Sequence, residues 1–171
     1  EIDRDTLRVE RFRRLLSKLN AKDKDGAEIG VRYLEHLGQA GFMLEGAMDL
    51  IEKLNSSYTL ALLTNGFSAV QRSRIAKTKT ERFFDTIIIS EEVGWQKPQA
   101  EIFDLVLKNL NHQEKADVLM IGDSLSSDIR GGINAGIDTC WYNPQRNPVP
   151  LGTTPTYVVH TIGEMFTLLK K

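Results

Sequence analysis

Val118-Leu119-Met120-Ile121-Gly122-Asp123-Ser124 is an unbroken apolar run that stops at a glycine and a carboxylate. Four apolar residues without polar alternation are covered on both faces, as in a parallel sheet lying between helical layers. Ligands of such sheets sit beyond the carboxyl ends of the strands, so chemistry belongs to the residues directly after each run. After this run come Asp123 and, five residues on, Asp128, with Gly131-Gly132 behind. Two carboxylates at a strand end suit a hard, oxygen-seeking cation such as Mg2+.

Working outward, the pattern recurs. Residues 58–63 read as a short apolar strand ending in Thr64-Asn65-Gly66. Thr86–Ile89 is a β-branched run followed by Ser90-Glu91-Glu92 and then by Gly94 through Lys97-Pro98. Asp138–Tyr142 and residues 156–159 are predicted as fourth and fifth strands. Helical stripes lie between them: Ala47, Leu50, Ile51 and Leu54, then Ile102, Phe103, Val106, Leu107 and Leu110. Ser68 with Gln71, and Thr161 with Glu164, are spaced as capping boxes, and Pro98 is placed as the first residue of its helix. Before residue 45 only helical periodicity is present. Phe12, Leu15, Leu16 and Leu19 form one stripe, Ile29, Tyr33 and Leu37 a second, and Gly38, Gly41 and Gly46 mark a hinge. The expected fold is α/β, a Rossmann-like parallel sheet flanked by helices over residues 45–171, with a helical piece over residues 1–44.

At the ends of the strands, the Thr64 hydroxyl and the Asn65 and Gly66 amides form a candidate phosphate cradle at a helix start. Lys97 is predicted at a helix entrance, where the helix dipole disfavours a cation, so it is expected to point at an anion. Singly, Thr64-Asn65-Gly66 is a turn, Lys97 a surface lysine, and Asp123 and Asp128 a helix cap and a solvated residue. Together, hydroxyl, cation and acid pair each end a different predicted strand, and that conjunction points to phosphate chemistry.

These residues resemble the haloacid-dehalogenase-like (HAD) superfamily. The resemblance is carried by Leu62-Leu63-Thr64-Asn65-Gly66, Lys97-Pro98, and Ile121-Gly122-Asp123-Ser124 with Asp128. Ile89-Ser90-Glu91-Glu92-Val93-Gly94, Gly131-Gly132-Ile133-Asn134-Ala135-Gly136 and Thr139-Cys140-Trp141 resemble its bacterial pyrimidine nucleotidase branch, which dephosphorylates nucleoside monophosphates. The resemblance implies two-step phosphoryl transfer through an aspartyl-phosphate. Thr64, Asn65 and Gly66 would hold phosphate oxygens, Lys97 would offset charge, Asp123 would ligate Mg2+ and Asp128 would ligate it or orient its shell. Residues 1–44 would be the remainder of a helical cap that closes over the site.

One departure is severe. The family's Asp-x-Asp-x-Thr motif, which supplies the nucleophile, is absent; Asp3-Arg4-Asp5-Thr6-Leu7 imitates it but lacks the residue before Thr6 and a preceding strand. It reads as the polar entrance to a cap helix. The motif's strand would lie between the strands predicted at 58–63 and 118–121. The expectation is therefore a longer parent protein, and poor folding and no activity for these 171 residues alone.

Composition narrows the alternatives. Lys+Arg 22 against Asp+Glu 23 gives a net charge of −1, without the basic excess of a nucleic-acid binder. No apolar run is long enough to cross a membrane, and a single cysteine, Cys140, fits a reducing cytoplasmic setting and a core position. His36, His112 and His160 lack ligand spacing, the cluster Arg72, Arg74, Lys77 and Lys79 reads as a solvated helix end, and Asn55-Ser56-Ser57 as an unused sequon. Trp95 is placed either to stack on a base or to pack its own loop. The competing readings are a haloacid dehalogenase-type hydrolase, which needs no metal acid pair, and a non-catalytic phosphate-binding module. Oligomeric state is not encoded legibly.

Overall fold

The computed structural model describes residues 4–21 and 25–169. Asp3 lies outside them; from Arg4 onward the imitation motif is helical. The elements run α1 (Arg4–Lys18), α2 (Gly26–Gln39), α3 (Ala47–Asn55), β1 (Ala61–Thr64), α4 (Ser68–Thr78), β2 (Thr86–Ile89), α5 (Ser90–Val93), α6 (Ala100–Asn109) and β3 (Leu119–Gly122). A π-turn (Leu125–Ile129) leads into α7 (Arg130–Ala135), β4 (Asp138–Tyr142), β5 (Tyr157–Val159) and α8 (Ile162–Leu169).

All strand pairs are parallel, as unbroken apolar runs require. Among the described residues they form two sheets, β1-β2 and β3-β4-β5. The two sheets share one core: Ile88, Ile102, Phe103, Val106 and Ala135 form a buried cluster against which Leu63 of β1 and Met120 of β3 both pack. A second cluster, Leu50, Cys140, Val159 and Met165, fills the face under α3 and α8. Burial is uneven along the layer. Ile88 and Ile89 of β2 and Thr139, Cys140 and Trp141 of β4 are buried, whereas every residue of β1 and β3 is only half-buried.

The front helices pack on each other through Phe12 and Tyr33, whose ring centroids are 5.4 Å apart, with the Arg11 guanidinium over both rings. At its last turn α2 meets α4. Ser73 Oγ and Lys77 Nζ both donate to the carbonyl of Gly38, at 2.8 and 3.2 Å. A side chain at Gly41 would meet the Lys77 stem at 2.8 Å, so the chain passes α4 closely before α3 begins.

Three local expectations are corrected. The first strand starts at Ala61, not residue 58, because Tyr58 is drawn off by its hydroxyl's bond to the carbonyl of Leu169. Pro98 is not a first helical residue: α6 starts at Ala100 with Gln99 as cap, and the Pro98 carbonyl accepts from Asn134. Ser68 and Gln71 form no capping box. Ser68 is itself the first residue of α4 and gives its N–H to Glu91, while Gln71 Nε2 turns back to the Asn65 carbonyl. The Thr161 box forms in half: Glu164 N–H donates to Thr161 Oγ1 at 3.1 Å, but Glu164 Oε2 accepts from the His160 amide at 2.7 Å, one residue before the cap.

Candidate active site

β1, β2 and β3 all end on one side of the molecule, and Lys97 joins them. Its ammonium lies 2.7 Å from the carbonyl oxygen of Leu63, at the end of β1, and 2.7 Å from Asp128 Oδ1, beyond the end of β3. The two charged side chains are only 9% and 6% exposed. Asn65 fixes the lysine's main chain from both sides. Its Nδ2 donates to the Lys97 carbonyl at 2.9 Å, and its Oδ1 accepts the Lys97 amide at 2.9 Å. Lys97 therefore reaches the site from a loop clamped by the neighbouring strand's turn, and not from a helix entrance.

Asp128 owes its place to the π-turn, an extra-residue winding often found at functional sites. Ser124 caps that turn by accepting the Ser127 amide, and its own N–H donates to Asp128 Oδ2 at 3.0 Å. The carboxyl group is folded back onto Gly122 so closely that a Cβ there would collide with it. Asp128 Oδ1 is buried and has the ammonium beside it but no well-aligned hydrogen-bond donor. Asp123 is exposed, and no described residue donates a hydrogen bond to its carboxylate; its carbonyl accepts from Trp141 Nε1 at 3.0 Å. Two acids, one free in this sense and one with an unsatisfied buried oxygen, fit a hard cation. Among the described residues no third acid, histidine or cysteine joins them.

The sequence-selected residues thus divide. Thr64, Asn65, Lys97 and Asp128 come together, with Asp123 at the rim. Gly66 is present, at φ +144, but its N–H donates to the hydroxyl of Ser90 at 3.1 Å and is not free for a ligand. Sequence reasoning missed three contributors: the Asn65 side chain as a clamp, buried Ser90, and Arg72, taken for a solvated residue but paired with Glu92 at 2.7 Å. Only the repetition of polar residues directly after β2 could have hinted at them. Cys140 is core as expected, and burial pushes its thiol up to about 11, leaving it neutral and inert at physiological pH. No described helix is long and apolar enough to cross a membrane.

Known proteins share this arrangement of chain. The family model for haloacid dehalogenase-like hydrolases matches residues 9–142. The pyrimidine 5'-nucleotidase YjjG of Escherichia coli is 36% identical over 161 residues, which cover 94% of this chain and 70% of that protein. The pyrimidine 5'-nucleotidase PynA of Streptococcus pneumoniae is 40% identical over 162 residues, 94% of this chain and 68% of that one. Among solved structures, the HAD-hydrolase YfnB of Bacillus subtilis, described as bound to magnesium and as revealing interdomain movement, superposes with a TM-score of 0.92 at 35% identity. That match covers 99% of this chain and 74% of YfnB. With a family model across most of its length and relatives of this similarity, the chain belongs to the haloacid dehalogenase-like hydrolases, a family of enzymes.

Proposed function

We propose that this protein is a Mg2+-dependent phosphomonoester hydrolase that removes phosphate from nucleoside monophosphates through an aspartyl-phosphate. The observation that carries the reading is the buried Lys97 ammonium, fixed between Asp128 and the carbonyl of Leu63, the residue before Thr64. A cation held out of water between a carbonyl and a carboxylate is placed to neutralise charge on a phosphoryl group as it transfers. The Thr64 hydroxyl, held in this structure only by a long 3.3 Å bond to the Asn65 carbonyl, supplies a donor to an equatorial oxygen. Asn65 acts through Lys97, keeping the loop in register.

Asp123 would hold the metal ion. Asp128, with one oxygen against Lys97 and the other on the Ser124 amide, would orient the lysine and the ion's surroundings. When bound, the ion supplies further neutralisation of the phosphate oxygens. No Asp-x-Asp-x-Thr occurs in the 171 residues. In this reading the attacking carboxylate arrives on a strand seated between β1 and β3, each of which has one sheet neighbour. Residues 1–44 serve as the remainder of the cap that keeps water out, and residues 45–171 as the catalytic core. The nucleotidase names of the two relatives support the substrate class. Trp95, 42% exposed and two residues before Lys97, offers a flat face for a base. The single cysteine and the balanced charge support a cytoplasmic setting and a small-molecule partner.

The test is hydrolysis of uridine monophosphate by the full-length protein. Activity abolished by EDTA and restored by Mg2+ is expected. Metal-independent release of halide from a 2-haloacid, without phosphatase activity, would overturn the reading.

A further inference from the structure

The short helix α5, directly after β2, is bound to the turn after β1 and to the start of α4. Gly66 N–H donates to Ser90 Oγ at 3.1 Å, and Ser90 is 1% exposed. Ser68 N–H donates to Glu91 Oε2 at 2.7 Å, and the Ser68 hydroxyl to Glu92 Oε1 at 2.5 Å. One turn along α4, Arg72 grips the same Glu92 carboxylate with Nε at 2.9 Å and Nη2 at 2.7 Å. These bonds hold Glu92 in its charged form and Arg72 in its own, lowering the first pKa and raising the second. The start of α4 comes directly after Thr64-Asn65-Gly66, so the contacts that seat α4 also set the angle of that turn. Its N-terminal charge already faces Glu91, which leaves the attraction of an anion to Lys97.

We propose that Ser90, Glu91 and Glu92 are positioning residues for the phosphate cradle. They hold the first turn of α4, and through it the Thr64 hydroxyl, at the spacing at which Thr64 and Lys97 grip one phosphate group. This rests on the phosphatase reading above. Glu92 and Arg72 are partly solvated, with side chains 30% and 45% exposed, and such pairs add little to global stability. Their loss should therefore leave the fold and disturb the site, which is what separates positioning from support.

The experiment uses full-length protein with Mg2+ and p-nitrophenyl phosphate, and titrates inorganic phosphate by calorimetry in parallel. The variants are Glu92→Ala, Glu92→Gln, which keeps an acceptor for the Ser68 hydroxyl, and Arg72→Gln. For Glu92→Ala the expected result is kcat lower by about ten-fold, with phosphate affinity weakened and KM raised in the same proportion as that affinity falls. Its Tm should stay within about 2 °C of wild type, and Glu92→Gln should fall between the two. Unchanged kcat and phosphate affinity in Glu92→Ala and Arg72→Gln overturns the proposal. So does a lowered Tm with kcat intact where the variant is folded. A wild type that binds phosphate but hydrolyses nothing refutes the phosphatase reading alone, and the variants' phosphate affinities then decide positioning. A wild type that does neither overturns both.

Discussion

Lys97 and Asp128 are the two charges most deeply withdrawn from water at the site, and each is tolerable only because of the other. Removing one member of a buried pair leaves an uncompensated charge, a loss of about 3–5 kcal/mol. Asp128→Asn should therefore lower stability by about 3 kcal/mol in urea unfolding of the full-length protein. A midpoint equal to wild type would mean the lysine had found water or another partner. Each member was singled out in the sequence because it comes after its own apolar run; their contact with each other was not legible there. Nor were the bonds of Asn65 and Ser90, since they reach 32 and 24 residues along the chain. Such bonds exist only once two loops lie side by side, and no periodicity announces them.

The strand-to-turn connection after β3 works as one element. Gly122 ends the strand, Ser124 caps the π-turn, and the turn lays the Asp128 carboxyl group against Gly122 where a side chain would otherwise be. Gly122→Ala forces overpacking that typically costs about 1–3 kcal/mol and pushes Asp128 off Lys97. The expected outcome is at least a hundred-fold loss of phosphatase activity in a protein that still folds, measured beside circular dichroism. Retained activity would show that Asp128 can be held another way. The positions and parallel sense of the strands were legible from their unbroken apolar character. What misled at α4 was competition: Ser68 and Gln71 have the spacing of a capping box, but Glu91 takes the Ser68 amide. Pro98 misled in the same manner, because its carbonyl serves Asn134 two residues ahead of the helix.

At the scale of the whole molecule, the strands nearest the chemistry are less buried than their outer neighbours. β1 and β3 pack on one shared cluster yet pair with one strand each. Phe42, 89% exposed, adds a large apolar side chain in the segment joining the front helices to α3. Unpaired strand edges and open apolar surface favour dye binding and association. The 171 residues expressed alone should therefore bind 8-anilinonaphthalene-1-sulfonate strongly and melt broadly. A sharp melt without dye binding would show that the two sheets are self-sufficient.

The contact of Ser73 and Lys77 with the Gly38 carbonyl bears on how the front helices can move. Five residues of α4, about 7.5 Å of rise, separate Ser73 from Ser68, where the helix starts just after Thr64-Asn65-Gly66. The helix is a strut with the turn at one end and the front helices pinned near the other. A swing of those helices either tugs the strut and shifts the Thr64-Asn65-Gly66 turn, or parts two hydrogen bonds and leaves that turn alone. In the proposed reading, with residues 1–44 as a cap, the strength of those two hydrogen bonds decides which of the two happens when the cap opens.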